Sequence, residues 1–286
     1  MRFSILSLSI IAVAVGNVAG ESAKYPSIKP PIVRHIDFAN LTPAKEEPAT
    51  NAVRFAQGLP PMRPRSRKHH PTVDITKDSL DQGTPVVSAP RVARSTLPPV
   101  QQSCNVLVKT SDKTLGYLSS TFNDYGLFYP TTQQNALVVS FSYLIGSFLT
   151  TDLRSGNRPS PAYPYVGGAL GLVSDSADIG SGNSNFGYIV GTTQTPPTSR
   201  PVEGDNSLSA ATGIPLKYES SIWVYNSDTK NIRAQWYNTD GSAPRTFLIY
   251  NEDLDGIALT GDPSAVRAAF GSTYPDVTMT CVPVVS

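Results

Sequence analysis

Two runs of sequence, Ser221-Ile-Trp-Val-Tyr-Asn226 and Ile232-Arg-Ala-Gln-Trp-Tyr-Asn238, decide the fold class of this chain. Aromatic residues in the first run, and apolar residues in the second, recur at every second position, which is the period of a β-strand. Residues of turn-forming type, Ser227-Asp-Thr-Lys-Asn231, separate the two runs. The stretch as a whole therefore predicts a β-hairpin.

Similar short runs, separated by Gly, Asn, Asp and Pro, extend the β pattern to both sides of this hairpin. The predicted strands are 105–110, 115–121, 136–145, 166–173, 186–192, 221–226, 232–238, 246–251, 256–260 and 277–282. About ten strands with turns between them predict an all-β domain, an antiparallel β-sandwich or jelly roll. Alternation does not determine strand order, so the pattern leaves a sandwich and a barrel both open.

One short helix is predicted near the C-terminus. Asp262 is a good N-cap, Pro263 suits the first turn, and Gly271 ends the apolar run that follows. The stretch 192–215 has no period and is interpreted as a long connection, a place where binding sites often lie.

The N-terminus has the features of a secretory signal. Arg2 is basic, residues 3–15 are apolar apart from serines, and Val18-Ala-Gly20 has the small residues that signal peptidase requires. The apolar run is shorter than the ~20 residues that span a bilayer. Residues 1–20 are thus predicted to be a signal peptide cut after Gly20, without a transmembrane anchor, and the protein to be secreted, extracellular or in a cell wall.

Residues 21–100 differ in composition from residues 101–286. The first segment holds thirteen prolines, three aromatic residues and a charge balance of +5, whereas the second has 21 aromatic residues and a balance of −5. The first segment buries too little apolar surface to offset its ordering entropy. We predict a low-order, Pro-rich basic leader at 21–100 and the β domain at 101–286.

The leader contains two basic motifs and one glycosylation sequon. Arg63-Pro-Arg-Ser-Arg-Lys68 and Arg91-Val-Ala-Arg94 are of the kind that secretory endoproteases cut, and a cut after Arg94 would release the domain. The leader is then a pro-segment, a retained stalk or an arm that binds polyanions. No aromatic residues interleave the basic run, so nucleic-acid binding is not supported. Asn40 begins the sequon Asn-Leu-Thr and is the predicted glycosylation site.

The chain has two cysteines, Cys104 and Cys281, near the two ends of the β domain. A secreted protein favours their oxidation, so we predict a disulfide that ties the first strand to the last. Closing a loop of this length would stabilise the fold by up to about 5 kcal/mol.

The inventory of reactive side chains favours a non-catalytic protein, although enzyme activity stays open. All three histidines precede residue 100, so the domain cannot build a Ser-His-Asp or Cys-His site. A glycoside hydrolase with two carboxylates is an alternative. The glutamates it could use, Glu203, Glu219 and Glu252, are interpreted together with the turn aspartates as solvated surface groups.

An acidic stretch after the hairpin region has the spacing of a calcium loop. Asn251, Asp253 and Asp255 stand at positions 1, 3 and 5, Gly256 at position 6, and Asp262 at position 12. Full-strength loops have Asp first and Glu last, and a strand precedes this one. The competing interpretation is an acidic hairpin turn followed by a helix N-cap; no other cofactor is predicted.

Four aromatic residues are candidates for stacking on a sugar or contacting a partner. Tyr163 and Tyr165 lie in a proline-rich loop and are predicted to be exposed. Trp223 and Tyr225 share one face of a strand whose other face is already apolar. Trp236, with apolar neighbours on its face, is expected in the core.

Four stretches of the chain resemble a family of secreted proteins of mushroom-forming (basidiomycete) fungi. They are Asn51-Ala-Val-Arg-Phe-Ala-Gln-Gly-Leu-Pro-Pro61, Gly191-Thr-Thr-Gln-Thr-Pro-Pro197, Gln235-Trp-Tyr-Asn-Thr-Asp-Gly-Ser242 and Leu259-Thr-Gly-Asp-Pro263. Because they are spread over most of the chain, the resemblance implies secretion and a shared layout. It implies no activity, cofactor or catalytic residue.

These observations favour a secreted, non-catalytic β protein that binds cell-wall polysaccharide or a protein partner, or serves as a structural surface protein. The alternatives are a two-carboxylate glycoside hydrolase and an effector or toxin-like protein released from a pro-segment.

Overall fold

The structure is a computed structural model that describes residues 29–43, 99–146, 149–157, 159–271 and 274–285. Its strands are β1 Val100–Lys109, β2 Thr114–Leu118, β3 Pro130–Thr131, β4 Val138–Tyr143, β5 Leu153–Ser155, β6 Tyr165–Leu170, β7 Phe186–Thr192, β8 Tyr218–Glu219, β9 Trp223–Tyr225, β10 Asn231–Ala234, β11 Phe247–Asn251, β12 Gly256–Thr260 and β13 Asp276–Val282. Its α-helices are α1 Ser207–Thr212 and α2 Pro263–Phe270, and its 3-10 turns are Phe38–Asn40 and Gln133–Asn135. None of these helices has the length and apolar character needed to cross a membrane.

Eight strands form a closed antiparallel barrel in the order β1-β4-β5-β6-β7-β12-β11-β13. The ring closes because β1 is paired along both edges, with Asn105 opposite Val138 of β4 and also opposite Val282 of β13. The prediction of an all-β antiparallel domain is confirmed. The predicted sandwich or jelly roll is not, since pairing the first strand with the last removes the open edges that a sandwich would keep.

Alternation along each strand sorts the side chains into two clusters. On β12, Ile257 and Leu259 belong to the barrel interior, whereas Ala258 belongs to a cluster on the outer side. On β7, Ile189 points inward and Tyr188 outward in the same way. The barrel is therefore filled by apolar side chains from all around the ring, and its outer wall carries a second apolar layer.

The outer layer is covered by the two short helices. Val266 of α2 is buried in it, and the ring of Phe270 lies 5.6 Å from that of Phe186 on β7. Leu208 of α1 is buried in the same layer. Asp262 caps α2 by accepting hydrogen bonds from two backbone N–H groups, and Gly271 ends it in the left-handed conformation. The predicted C-terminal helix is confirmed, and α1 is an additional helix inside the predicted irregular connection.

The hairpin predicted from the opening runs is formed by β9 and β10, with Ala234 opposite Trp223. It lies outside the eight-strand ring. β10 pairs with β13, and on the edge of β9 away from β10, Trp223 forms a β-bridge with Thr151. Trp236 is buried as expected and donates from its indole Nε1 to the carbonyl oxygen of Ala177 at 2.9 Å. Gly168 on β6 leaves room for this ring, since a Cβ there would lie 3.3 Å from it.

The predicted disulfide between Cys104 and Cys281 is present, with a Cα–Cα distance of 5.5 Å. Both cysteines are buried in the barrel interior, on β1 and β13. The bond therefore crosses the seam where the first strand closes the barrel against the last.

Part of the predicted leader packs on the barrel. In the described segment 29–43, Pro30 is buried and Phe38 is half-buried. Asn40, the predicted glycosylation site, is exposed, and its side-chain amide donates to Asp37 at 2.8 Å. The predicted cleavage positions Gly20 and Arg94 lie outside the described residues.

Candidate ligand pocket

The two tyrosines predicted to be exposed are buried. Tyr163 retains 2 % and Tyr165 8 % of its accessible surface. Tyr163 packs against Gly191 on β7, which has no side chain; a Cβ there would lie 2.9 Å from the Cβ of Tyr163. The Tyr163 hydroxyl donates to Asp205 at 2.7 Å, and burial, followed by this carboxylate, raises the pKa of the phenol. The prediction of an exposed tyrosine pair is wrong.

Trp223, a third predicted ligand-binding residue, is also buried. Its indole Nε1 donates to the carbonyl oxygen of Val166 at 2.6 Å, so the ring is oriented into the barrel core. Trp223 therefore lies on the inner face of the hairpin. Tyr225, nearer the end of the strand, differs because it borders a cavity.

That cavity is the candidate ligand pocket, with a volume of about 220 Å³. It opens where β4 ends and β9 passes. Its lining residues are Pro99, Ser142, Tyr143, Leu144, Leu149, Thr150, Thr151 and Tyr225.

The elements around the pocket are joined by backbone pairing and aromatic contacts. The N–H of Thr151 donates to the carbonyl oxygen of Trp223 at 2.8 Å, and the reverse bond is 3.2 Å, which brings residues 149–151 beside β9. The ring of Tyr225 stands edge-on to Tyr143 and to Phe141, with centroids 4.9 Å apart in each case. Such edge-to-face contacts hold the two tyrosine rings in fixed orientations.

Two residues of this pocket carry hydroxyl groups without a partner. Within the described part of the chain, neither Thr150 Oγ1 nor Tyr225 Oη makes a hydrogen bond, and both atoms are buried. A buried polar group left unpaired costs about 1–3 kcal/mol. Burial, and secondarily Tyr143, raises the pKa of Tyr225, so its hydroxyl stays protonated and can both donate and accept. Both residues line the pocket, so a ligand with hydroxyl groups that displaces part of the pocket wall would give each hydroxyl a partner.

None of the described residues that line the pocket is charged. Leu149 is strongly exposed at its mouth, and the neighbouring Ile145 is exposed as well. The pocket therefore matches a neutral ligand that has an apolar face and hydroxyl groups. Charged ligands would lose hydration there without gaining a partner.

Three of the four predicted calcium-loop residues, Asn251, Asp255 and Asp262, have side-chain partners within the protein. The Asn251 side-chain oxygen accepts from the N–H groups of Asp253 and Leu254 at 3.0 and 3.2 Å, and Asp255 accepts from the Tyr250 hydroxyl at 2.6 Å. One oxygen of Asp262 caps α2, while the other accepts from the N–H of Gly182 at 2.9 Å. The loop is the β11–β12 hairpin turn and Asp262 is the N-cap, as the competing interpretation had it. Calcium binding itself stays a prediction.

Among the described residues, no group of three or more His, Cys, Asp or Glu side chains is arranged to hold a metal ion. Two acidic residues nevertheless have unusual surroundings. Glu219 is 2 % exposed, and burial raises its pKa to about 9. Burial also raises the pKa of Asp152, against the hydrogen bonds it accepts from Ser220 and Gln194. The interpretation of Glu219 as a solvated surface group is wrong.

Within the part of the chain that the structure describes, the two carboxyl groups share no hydrogen-bond partner. Glu219 accepts from the backbone N–H of Tyr237, whereas Asp152 accepts from the side chains of Ser220 and Gln194 at 2.6 and 2.8 Å. The only sequence signal for Glu219 was its position beside strand-like neighbours, where a charged residue is out of place.

The chain was compared with protein-family models, curated proteins and solved structures, and nothing matched in any of the three comparisons. The resemblance to secreted proteins of mushroom-forming fungi thus stays a prediction.

Proposed function

We propose that this protein is a secreted, non-catalytic binding protein whose Tyr225 pocket receives one sugar unit of a neutral cell-wall polysaccharide. The observation that carries the proposal is that Thr150 and Tyr225, each with a buried, unpartnered hydroxyl group, line one uncharged pocket beside the ring of Tyr143. A sugar presents hydroxyl groups around its rim and C–H groups on its faces. It can therefore pair with the hydroxyls and pack on the ring at the same time.

The size of the pocket supports a single unit. Pockets for drug-sized ligands are usually about 300–1,000 Å³, and this one is about 220 Å³. A chain end or a branch unit fits this volume better than the middle of a polymer. Binding one unit is weak, so we expect affinities in the millimolar to high micromolar range, typical of small ligands with few anchoring groups.

The absence of carboxylates from the pocket lining favours binding over hydrolysis there, because a paired-carboxylate mechanism needs two acids that flank the bond to be cut. Secretion is supported by the signal-like N-terminus and by the Cys104–Cys281 disulfide, since such bonds persist in oxidising compartments.

The test is titration of the full secreted chain with soluble disaccharides of the β-glucan, cellulose, chitin and mannan series, followed by NMR or calorimetry. Tyr143→Ala removes a half-buried ring, and Thr150→Val removes a hydroxyl while keeping the shape. We expect each to weaken binding at least about fivefold, the equivalent of ~1 kcal/mol. Tyr117→Ala, at a half-buried tyrosine on β2 outside the pocket, is the matched control and should leave binding unchanged.

Binding of none of the four series at millimolar concentration would reject the proposal. Binding that survives both pocket substitutions would reject the location but keep the function.

A further inference from the structure

The described leader segment lies in a groove on the barrel, and its contacts there are specific. The backbone N–H of Arg34 donates to the carbonyl oxygen of Ala211 at 2.7 Å. Ala211 belongs to the last turn of α1, where carbonyl groups have no partner within the helix. The leader thus completes a hydrogen bond that α1 cannot make for itself.

Four residues further along, Phe38 anchors the segment. Its ring stands edge-on to Phe122 at 4.9 Å and lies 6.3 Å from the ring of Tyr163. Phe122 in turn stands edge-on to the buried Phe128 at 4.8 Å. Phe38 therefore extends an aromatic row that runs outward from the barrel core, and it lies against Tyr163.

Two glycines, Gly213 at the end of α1 and Gly191 on β7, leave the space that forms the groove. A Cβ on Gly213 would lie within 2.8 Å of the Arg34 guanidinium, so that side chain packs directly on the end of α1. Gly191 leaves the space in which Tyr163 and Phe122 pack. The positive charge of Arg34 is favourable beside the carbonyl end of a helix.

The segment occupies this groove only in part. A cleft of about 500 Å³ remains between the segment and the turn 122–125. Within 29–43 most side chains are exposed, Ile32 at 67 %, and the segment pairs with no strand. The contacts among the described residues include one backbone hydrogen bond, the ring of Phe38, the Arg34 side chain on α1 and the buried Pro30, which make a small interface. Covalent linkage can raise the local concentration of such a segment to about the millimolar range.

We propose that this groove is a recognition site for an extended peptide that carries Arg and Phe four residues apart, and that the chain's own segment Lys29–Pro43 occupies it as a tethered ligand. Scission between Pro43 and Pro99 turns the contact into an intermolecular one and vacates the groove at micromolar protein concentration. Both basic motifs of the leader, 63–68 and 91–94, lie between these two points. The proposal is independent of the sugar pocket, which other residues line.

The test uses the full chain with residues 91–94 replaced by the recognition sequence of a specific protease. After cutting at ~1 µM protein, we expect the leader fragment to separate from the barrel in size-exclusion chromatography or native mass spectrometry. Hydrogen exchange should then speed up in α1 and around Phe122. A synthetic peptide of residues 29–43 should bind the cut protein with a Kd in the range of about 0.01–1 mM, below the effective concentration of a tethered segment.

Two peptide variants sharpen the test. Phe38→Ala should bind at least about tenfold more weakly, because it loses the half-buried ring and its edge-to-face contacts. Ile32→Ala changes an exposed side chain and should bind like the parent peptide. Far-UV circular dichroism of the cut protein shows whether the barrel stays folded.

Three results would overturn the proposal. If the fragment stayed bound at ~1 µM, the segment would be a permanent part of the fold. If the barrel unfolded on cutting, the segment would be part of its core. If the cut barrel stayed folded but bound no peptide at ~1 mM, about the highest effective concentration of a tethered segment, the groove would not be a recognition site.

Discussion

The carboxyl group of Glu219 lies 3.3 Å from the backbone nitrogen of Tyr237 and is almost completely buried, although it has no cationic partner among the described residues. Burial disfavours the charged form and raises the pKa to about 9, while the Tyr237 N–H opposes the shift. The group is therefore a neutral acid at pH 7.

This burial predicts that the protein loses stability as the pH rises. Between the unfolded pKa of 4.5 and the folded pKa of about 9, the folded state holds a proton that the unfolded state releases. The free energy of unfolding then falls with increasing pH through that window and levels off above it. Glu219→Gln keeps a neutral acceptor for Tyr237 and should raise stability at pH 7 by up to about 3 kcal/mol.

Urea unfolding at pH 5, 7 and 8.5 checks this prediction, with ~1.4 kcal/mol expected per pH unit in the parent protein. The exposed Glu252→Gln is the matched control and should change stability by less than about 0.5 kcal/mol. A Glu219→Gln variant less stable than the parent at pH 7 would contradict the assignment of a buried neutral acid.

The disulfide across the barrel seam predicts a large loss of stability on removal. Cys104→Ala combined with Cys281→Ala should lower the free energy of unfolding by about 2–5 kcal/mol, because the unfolded chain regains the freedom of a long loop. Chemical denaturation of the parent, with and without reductant, measures the same difference. A change below ~1 kcal/mol would show that the unfolded chain stays compact without the bond.

The close approach of β6 to β8 predicts that Gly167 tolerates no side chain. A Cβ there would clash with the carbonyl oxygen of Glu219 and lie 2.7 Å from Thr192 Oγ1. Gly167→Ala should lower the free energy of unfolding by about 1–3 kcal/mol. Gly180→Ala, where the nearest neighbouring atom would be 3.8 Å away, is the control and should be nearly neutral. Equal effects of the two substitutions would argue against this packing.

The cap of α2 predicts a difference between two substitutions at Asp262. Asp262→Ala should lower the free energy of unfolding by about 1–2 kcal/mol, since the N–H groups of Ser264 and Ala265 lose their acceptor. Asp262→Asn keeps a good cap and should retain most of the stability, losing only the second contact to Gly182. Thermal unfolding of both variants measures the difference, and equal losses would contradict a capping role.

The side-chain oxygens of the β11–β12 turn that accept hydrogen bonds also predict how the protein responds to calcium. Because Asn251 and Asp255 already accept hydrogen bonds from the protein, we expect millimolar calcium to leave the Tm unchanged. A rise in Tm with calcium that disappears in Asp253→Asn would instead support the calcium-loop prediction.

Much of the local structure could be predicted because it depends on neighbouring residues alone. The strands β7 and β12 have the predicted bounds, and α2 lies between the predicted cap Asp262 and the predicted stop Gly271. The helix α1 was missed although its signals are local: Asn206 caps it and Gly213 ends it in the left-handed conformation. The strands β3, β5 and β8 have two or three residues each, too few to show a period.

The candidate site could not be predicted to the same extent. Tyr225, predicted as a ligand-binding residue, lines the candidate pocket, but the other lining residues Tyr143 and Thr150 come from distant parts of the sequence, and only the tertiary structure brings the three together. Tyr163 and Tyr165 were predicted to be exposed because proline-rich stretches usually lie on surfaces. The burial of Tyr163 depends on Gly191, which lies on a strand that is not its sequence neighbour.

The sequence by itself determined the β class and the disulfide pairing, since these follow from alternation and from the presence of two cysteines. Only the tertiary structure decided that the sheet closes into a barrel, that Glu219 is buried, and that part of the leader lies in a groove beside Tyr163. The physical reason is that closure, burial and docking depend on which distant segments come into contact, whereas the two-residue period of a strand does not specify its partner strand.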